Sequence, residues 1–392
     1  MPRRREFLAA AGMGLLGGLS GCAASMRRHG IVATEDATEA ETAGSKSETA
    51  SGGKAGGGSS ETDSVTEDAS PPGLGSAATE LYREIIVSVV GIVVYDESGR
   101  AATGSGFVTG LGPGGPHVVT NQHVVAPGTR FQIRFQGNEW RAGDIVGTDV
   151  YSDLAVLRPN NRPSSAASLD WADTDPEPPI GTDVLAIGSP FGLGGSASAG
   201  IISGVDRLLA APNNFSIPDA VQTDAALNPG NSGGPIVTAD GTVAAVASSA
   251  GGENIGFGIS AALSNRVVPS LIADGEFRHS YMGVGIREVT PTAADAYELD
   301  DVGGLIVTNV VDSGPSEGVL EGSTDERVVD GVRVFVGGDV IVGIGGEPVE
   351  VQADLSNYLA LETSPGDTVP VTVIRDGERT TVDLTLGRRP QP

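Results

Sequence analysis

The sequence has one cysteine, Cys22, so no disulfide can form within a single chain. Aromatic residues are scarce at 4%. Glycine is abundant, with 58 residues, which signals many turns and tight backbone approaches and fits an all-β protein better than a helical bundle. Lysine is almost missing: Lys46 and Lys54 are the only two, and every other basic residue is arginine. No apolar run reaches the roughly 20 residues needed to span a bilayer as a helix. Positive charge is short as well, with 24 Lys and Arg against 50 Asp and Glu, a formal net charge of −26. A field of that sign repels phosphate backbones, which excludes nucleic acid as a partner. What is present is a hydrophobic fraction of 39% at a mean hydropathy of +0.01, enough for ordinary cores and too much for a wholly disordered chain.

The N-terminus reads as an address. Arg3-Arg4-Arg5 precedes an apolar run from Leu8 to Leu19 and then Ser20-Gly21-Cys22, the order of a signal peptide. Arg4-Arg5-Glu6-Phe7-Leu8 resembles a twin-arginine export motif and Leu19-Ser20-Gly21-Cys22 a lipobox, so residues 1–22 are expected to direct export and lipidation at Cys22. The expected location is the cell membrane, lipid-anchored on the extracytoplasmic face. Residues 23–77 are rich in Glu, Thr, Ser, Gly and Ala, and the stretch up to Ser76 contains no aromatic residue. This reads as a disordered acidic tether; at about 5–6 Å × √n, roughly 55 flexible residues reach on the order of 40 Å.

Two folded segments are expected beyond the tether, over 78–275 and 280–388. In the first, short β-rich runs recur between turn signals: Ile85–Val94, Val118–Thr120, Phe131–Phe135, Leu154–Leu157, Val184–Ile187, Ile236–Val237 and Val243–Val246. Such a pattern predicts a sandwich or barrel. A short helix ending at Leu271-Ile272-Ala273-Asp274 is expected to close it. The second segment shows further strands around one helical stretch, Gln352 to Leu361.

Three residues in the first segment supply the parts of nucleophilic acyl transfer. That chemistry needs a hydroxyl activated by an imidazole, which a carboxylate holds in one tautomer. His123 lies in Thr120-Asn121-Gln122-His123-Val124, Asp153 in Ser152-Asp153-Leu154-Ala155-Val156, and Ser232 in Gly230-Asn231-Ser232-Gly233-Gly234-Pro235. The glycines let backbone N–H groups converge on a developing oxyanion; Gly230 and Ser232 are the expected donors, with Asn231 between them. The order His, Asp, Ser is that of the chymotrypsin type rather than of subtilisins or α/β-hydrolases.

These motifs, with Gly104-Ser105-Gly106-Phe107, Ile187-Gly188-Ser189-Pro190-Phe191-Gly192, Gln222-Thr223-Asp224-Ala225-Ala226 and Asn254-Ile255-Gly256-Phe257, resemble the HtrA/Deg family of trypsin-like serine proteases over about Thr79 to Leu271. The resemblance implies an all-β fold: a chymotrypsin-type double β-barrel protease domain with its site between the barrels. It implies a serine endopeptidase acting on unfolded or misfolded proteins, with no cofactor and no metal. It also implies a homotrimer built on N-terminal aromatics, of which only Tyr82 is available here. Ala226, six residues before the nucleophile, falls at the base of the specificity pocket, and Ile255, Gly256 and Phe257 form a wall. Without a carboxylate at that base, small or medium aliphatic residues are expected before the cut.

The second segment resembles a PDZ domain, through Tyr281-Met282-Gly283-Val284 as the carboxylate-binding loop and Gly338-Asp339-Val340-Ile341-Val342-Gly343-Ile344 as a strand. That implies peptide or protein partners with exposed C-termini. An acidic, valine-rich insertion between Gly318 and Gly337 departs from the pattern. A non-catalytic chaperone or peptide-binding scaffold is the competing reading. A lipoprotein solute-binding protein is not, because the larger helices of an α/β pattern are missing.

Strong acidity with almost no lysine resembles the proteins of extreme halophiles, whose surface carboxylates hold water and cations. Their mutual repulsion acts over a Debye length of about 30 Å at 0.01 M salt and about 3 Å at 1 M. The melting temperature is therefore expected to climb from millimolar to multimolar KCl. A flat or falling curve would redirect the search to a basic partner.

Overall fold

The computed structural model describes residues 75–112, 116–189, 195–210, 216–252, 254–299 and 302–392. The export segment, Cys22 and nearly all of the tether lie outside them. Among the described residues no helix is long and apolar enough to cross a membrane.

The chain opens with helix α1 (Gly75–Ile85) and a 3-10 turn over Ile86–Ser88. This corrects the expectation of one strand from Ile85 to Val94. Leu81, Ile85 and Ile86 all enter the main hydrophobic core, and their burial there outweighs the β preference of two isoleucines. Six strands then follow: β1 (Val89–Asp96), β2 (Gly99–Thr109), β3 (His117–Asn121), β4 (Arg130–Phe135), β5 (Glu139–Asp149) and β6 (Leu154–Pro159). A helical turn, α2 (Gln122–Val125), leaves β3. The strands close into a barrel in the order β1-β2-β3-β6-β5-β4. Phe131, Ile133 and Phe135 of β4 alternate inward, the period expected of a half-buried strand.

A second barrel is built from β7 (Asp183–Gly188), β8 (Ser196–Ala210), β9 (Ser216–Thr223), β10 (Pro235–Thr238), β11 (Val243–Gly252) and β12 (Ile255–Ser260), in the order β10-β11-β12-β9-β8-β7. Helix α3 (Ala261–Asp274) completes the domain; the Ser260 hydroxyl accepts from Leu263 N–H at its start, and Gly275, at φ 79°, ends it. One aliphatic core unites both barrels: Phe107, Val119 and Leu154 from the first meet Leu185, Ile187 and Val237 from the second, with Leu263 and Leu271 of α3 and Ile85 of α1.

The C-terminal segment starts with β13 (Ser280–Tyr281), β14 (Val284–Glu288), α4 (Pro291–Tyr297) and β15 (Leu305–Val310). The insertion between Gly318 and Gly337 forms an antiparallel hairpin, β16 (Asp325–Val329) and β17 (Val332–Val336), turning at Asp330-Gly331. Then come β18 (Val340–Ile344), β19 (Glu347–Pro348), α5 (Gln352–Leu361), β20 (Thr368–Arg375), β21 (Glu378–Thr385) and β22 (Gly387–Arg388). The main sheet runs β14-β15-β18-β20-β21, which leaves β14 with a free edge. Helix α5 spans the residues read from the sequence.

The two domains are joined through buried polar contacts. His279 Nε2 lies 2.7 Å from Asp149 Oδ2, with both side chains buried. Burial pushes the Asp149 carboxyl up, but the hydrogen bonds from His279 and Ser152 and the His279 charge outweigh it and hold it below the usual range. The chain end returns to this contact: Arg389 N–H donates to His279 O (2.9 Å), and the Tyr151 hydroxyl donates to Pro390 O (2.5 Å).

Candidate active site

The triad residues sit at strand ends, where backbone can leave the ladder without losing its barrel. His123 follows β3 in α2, and Asp153 lies in the turn between β5 and β6 at φ 55°, a left-handed conformation that an aspartate tolerates. From there its carboxylate accepts twice from one residue: His123 N–H donates to Oδ1 (2.9 Å) and His123 Nδ1 lies 2.7 Å from Oδ2. The second contact fixes the proton on Nδ1 and leaves Nε2 free to act as a base. The histidine side chain is 29% exposed and the aspartate 1%, so the imidazole faces the cleft while the charge behind it is dry.

One contributor was not read from the sequence. Ser248 of β11 donates from its hydroxyl to Asp153 Oδ2 (3.1 Å), and its backbone carbonyl accepts from the Ser232 hydroxyl (2.9 Å). A serine in a run of small residues carries no signal by itself; only the docking of the second barrel on the first brings β11 beside the β5–β6 turn. Among the described residues Ser232 makes no hydrogen bond to His123. Its hydroxyl rests on the Ser248 carbonyl.

The nucleophile loop is shaped by its glycines. Gly230 and Gly233 adopt φ 98° and 85°. A Cβ on Gly233 would lie 2.2 Å from Ser105 O and 2.3 Å from Thr120 Oγ1, which excludes any larger residue. Ser105 clamps the loop from the first barrel: its N–H donates to Ser232 O (2.8 Å) and its hydroxyl to Gly230 O (2.6 Å). Asn231 N–H is consumed by Asn228 O (2.9 Å) and its side chain accepts from Ser196 (3.1 Å), so Asn231 positions the turn and does not donate to the cleft. The N–H groups of Gly230 and Ser232 have no acceptor among the described residues, the state required of oxyanion donors.

In the pocket region Ala226 is exposed, Ile255 is 39% exposed, Gly256 is buried and Phe257 packs partly into the main core. Leu227 was missed: a Cβ on Gly256 would stand 2.8 Å from Leu227 Cδ1, so this leucine presses on the wall and shortens the space beside it. The nearby carboxylate of Asp224 accepts from Ile201 N–H (2.7 Å) and serves backbone rather than a bound side chain.

In the C-terminal domain Tyr281, Met282, Gly283 and Val284 form the turn from β13 into β14. Met282 is buried, and Gly283 takes φ 76° where a Cβ would meet Pro315 at 2.9 Å. The turn is held by its carbonyls, Ser316 N–H donating to Met282 O (3.1 Å) and Val311 N–H to Gly283 O (2.8 Å). The N–H groups of Met282 and Gly283 have no acceptor among the described residues, and they lie next to the free edge of β14.

Comparison with known proteins agrees with this geometry. Residues 104–246 match the trypsin-like peptidase domain and residues 280–386 the PDZ domain. The chain is 34% identical over 293 residues to a probable periplasmic serine endoprotease DegP-like of Ectopseudomonas mendocina (strain ymp), covering 74% of this chain and 57% of that protein. A protein of the same description from Rhizobium meliloti (strain 1021) is 35% identical over 295 residues, covering 74% and 54%. The chain thus spans little more than half the length of these curated relatives. Among solved structures, the HtrA-type protease AlgW with tripeptide superposes at TM-score 0.64 with 28% identity, covering 80% of this chain and 98% of that one. A serine endoprotease from Yersinia pestis superposes at TM-score 0.56 with 26% identity, covering 80% and 98%. The fold is a chymotrypsin-type double barrel followed by one PDZ domain, as in the HtrA-type structures.

The Ser248 contact yields a prediction. Ser248→Ala removes the donor to Asp153 and keeps the backbone carbonyl, so kcat on a peptide substrate is expected to fall roughly tenfold, the worth of one hydrogen bond to a charge, with KM little changed. Steady-state kinetics check it; an unchanged kcat refutes the role.

Proposed function

We propose that this chain is an extracytoplasmic serine endopeptidase of the HtrA/Deg type that degrades unfolded or misfolded proteins. The observation that supports this reading best is the His123–Asp153 pair facing the Ser232 loop, with two unpaired N–H groups beside the hydroxyl. In the reaction Ser232 Oγ leaves the Ser248 carbonyl, gives its proton to His123 Nε2 and attacks the scissile carbonyl. Asp153 keeps the imidazole proton on Nδ1 and balances the imidazolium. The N–H groups of Gly230 and Ser232 hold the tetrahedral oxyanion. His123 then protonates the leaving amine, and water, activated by the same imidazole, releases the acyl group and restores Ser232.

Ala226 at the pocket base, with Leu227 pressing on Gly256, favours small or medium aliphatic side chains before the cut, because arginine or lysine gains no ion pair there. A peptide C-terminus would add as a strand to β14, its carboxylate received by the Met282 and Gly283 N–H groups. A homotrimer and a lipid anchor at Cys22 belong to the same proposal, by resemblance and by the lipobox respectively.

The test is casein degradation by the purified protein against Ser232→Ala. The variant is expected to fold and to lose activity, since oxyanion stabilisation alone leaves only about 10³–10⁴-fold over water. Cleavage by the variant at near the parent rate overturns the active-site assignment. Suppressed aggregation with no cleavage by either protein supports the chaperone reading instead.

Anchoring has its own check. Cys22→Ser is expected to move the protein from washed membranes to the soluble fraction, because acyl chains worth about 0.8 kcal/mol per CH₂ are lost and the acidic, aromatic-free tether has no membrane affinity of its own. Continued sedimentation of the variant with membranes sinks the anchor.

A further inference from the structure

Helix α5 of the PDZ domain packs Ala360 and Leu361 into the main core of the protease domain, and a polar seam runs beside them. Asp219 of β9 donates its N–H to Asn357 Oδ1 (2.8 Å), and Asn357 Nδ2 donates to Asp206 Oδ1 of β8 (3.4 Å). At the other end, the Arg266 guanidinium of α3 donates to Leu361 O and Thr363 O, and to Ser364 Oγ at 3.4 Å, satisfying carbonyls that the helix end leaves open. Beside these contacts, carboxylate oxygens of Glu177, Asp206 and Asp219 lie within 4.8 Å of one another. They line, with Arg266, a cavity of about 820 Å³ under the end of α5.

We infer that this seam is a proton-controlled latch, closed while Asp219, packed beside Glu177 and Asp206, keeps its proton and loosened once it is ionised.

Asp219 is 1% exposed, and its carboxyl accepts from the Ser260 hydroxyl. The other charged groups around it are Glu177 and Asp175 from the segment before β7, Asp206 from β8, Arg266 from α3 and Glu362 at the end of α5. Arg207, also on β8, turns towards Gly204. Negative charge outnumbers positive, and Arg266 is committed to backbone carbonyls. Burial, followed by the charge of Glu177, therefore pushes Asp219 up to about 7, against the Ser260 bond. Burial, followed by Asp206, pushes Glu177 up as well.

Ionisation changes what Arg266 prefers. Its buried Nε has no partner in the closed state, and three carboxylates compete with two neutral carbonyls for the guanidinium. The exposed Asp206, which holds Asn357, is the acid that can swing away to relieve the repulsion. Both movements withdraw a hydrogen bond from α5.

The sign follows from linkage. In the closed seam Asp219 titrates near 7, and once solvated it returns to its ordinary 3.8. Closure therefore binds an extra proton between these values; it weakens by up to about tenfold per pH unit as pH rises through that window, and levels off above it.

The test uses the full chain carrying Ser232→Ala, so that neither self-cleavage nor the catalytic reading affects the outcome. Hydrogen exchange of the α5 amides is measured from pH 5 to 8.5 in EDTA at constant salt, as protection factors that already discount the pH dependence of intrinsic exchange. Protection is expected to fall roughly tenfold per unit up to about pH 7 and then to level. In Asp219→Asn the fall towards pH 7 is expected to disappear, leaving only a shallower dependence at lower pH from Glu177. Glu177→Gln, which keeps Asp219 and lessens the repulsion, is expected to move the levelling point to lower pH, and it serves as the decisive variant should Asp219→Asn fail to fold. Flat protection in the parent overturns the latch, as does the parent slope in Asp219→Asn or an unmoved levelling point in Glu177→Gln.

Discussion

A carboxylate cut off from water has to be given donors, and Asp153 is the group around which the protease domain is arranged. It is 1% exposed and carries the charge that orients the imidazole. Leaving such an ion unpaired costs several kcal/mol. The cost is offset from both halves of the domain: His123 contributes a backbone and a ring donor from the first barrel, and Ser248 a hydroxyl from the second. The catalytic geometry exists only when both barrels are closed against each other, because neither alone satisfies the buried charge. The shared aliphatic core behind the cleft keeps them so.

The same logic explains what could be read in the sequence. The motifs around His123, Asp153 and Ser232 are local: each places a polar side chain next to an apolar strand or a glycine turn, so composition and order single them out as candidates. The helix Gln352–Leu361 and the helix end at Asp274 were legible for the same reason. Ser248 and Leu227 were not, since each acts through a neighbour distant in sequence, Asp153 of the other barrel and Gly256 of β12, that only the assembled domain supplies. Ile85 and Ile86 misled in the opposite direction. Their side chains favour a strand locally, but their place in the core is reached from a helix and a tight turn. The insertion after Gly318 was visible as a departure, and its pairing as a hairpin depends on a cross-strand register that composition leaves open.

Two kinds of polar contact join the domains. At the linker, Asp149 and His279 pair in a dry setting close to the turn that carries Asp153, so the position of the PDZ domain bears on a segment four residues from the catalytic carboxylate. Along α5, where Ala360 and Leu361 pack into the main core, the polar contacts are made instead by backbone carbonyls, one asparagine and acids that repel one another. The first is a matched pair and the second an unbalanced one. Solution conditions act far more strongly on an unbalanced set, which makes the helix the softer of the two attachments.

Helix α1 carries a consequence for how the chain is made. Its residues Leu81 and Ile85 are buried in the core that both barrels share, and they stand beside Gly241 of the β10–β11 turn, in the second barrel, which is synthesised after the first. During translation the first barrel therefore emerges with its amino-terminal helix lacking a docking surface, and its nucleophile has not yet been added. Contacts of such long sequence separation slow folding. They also delay the meeting of His123 and Asp153 with Ser248 and the Ser232 loop until the second barrel is available, so a nascent chain holds only half of the candidate site.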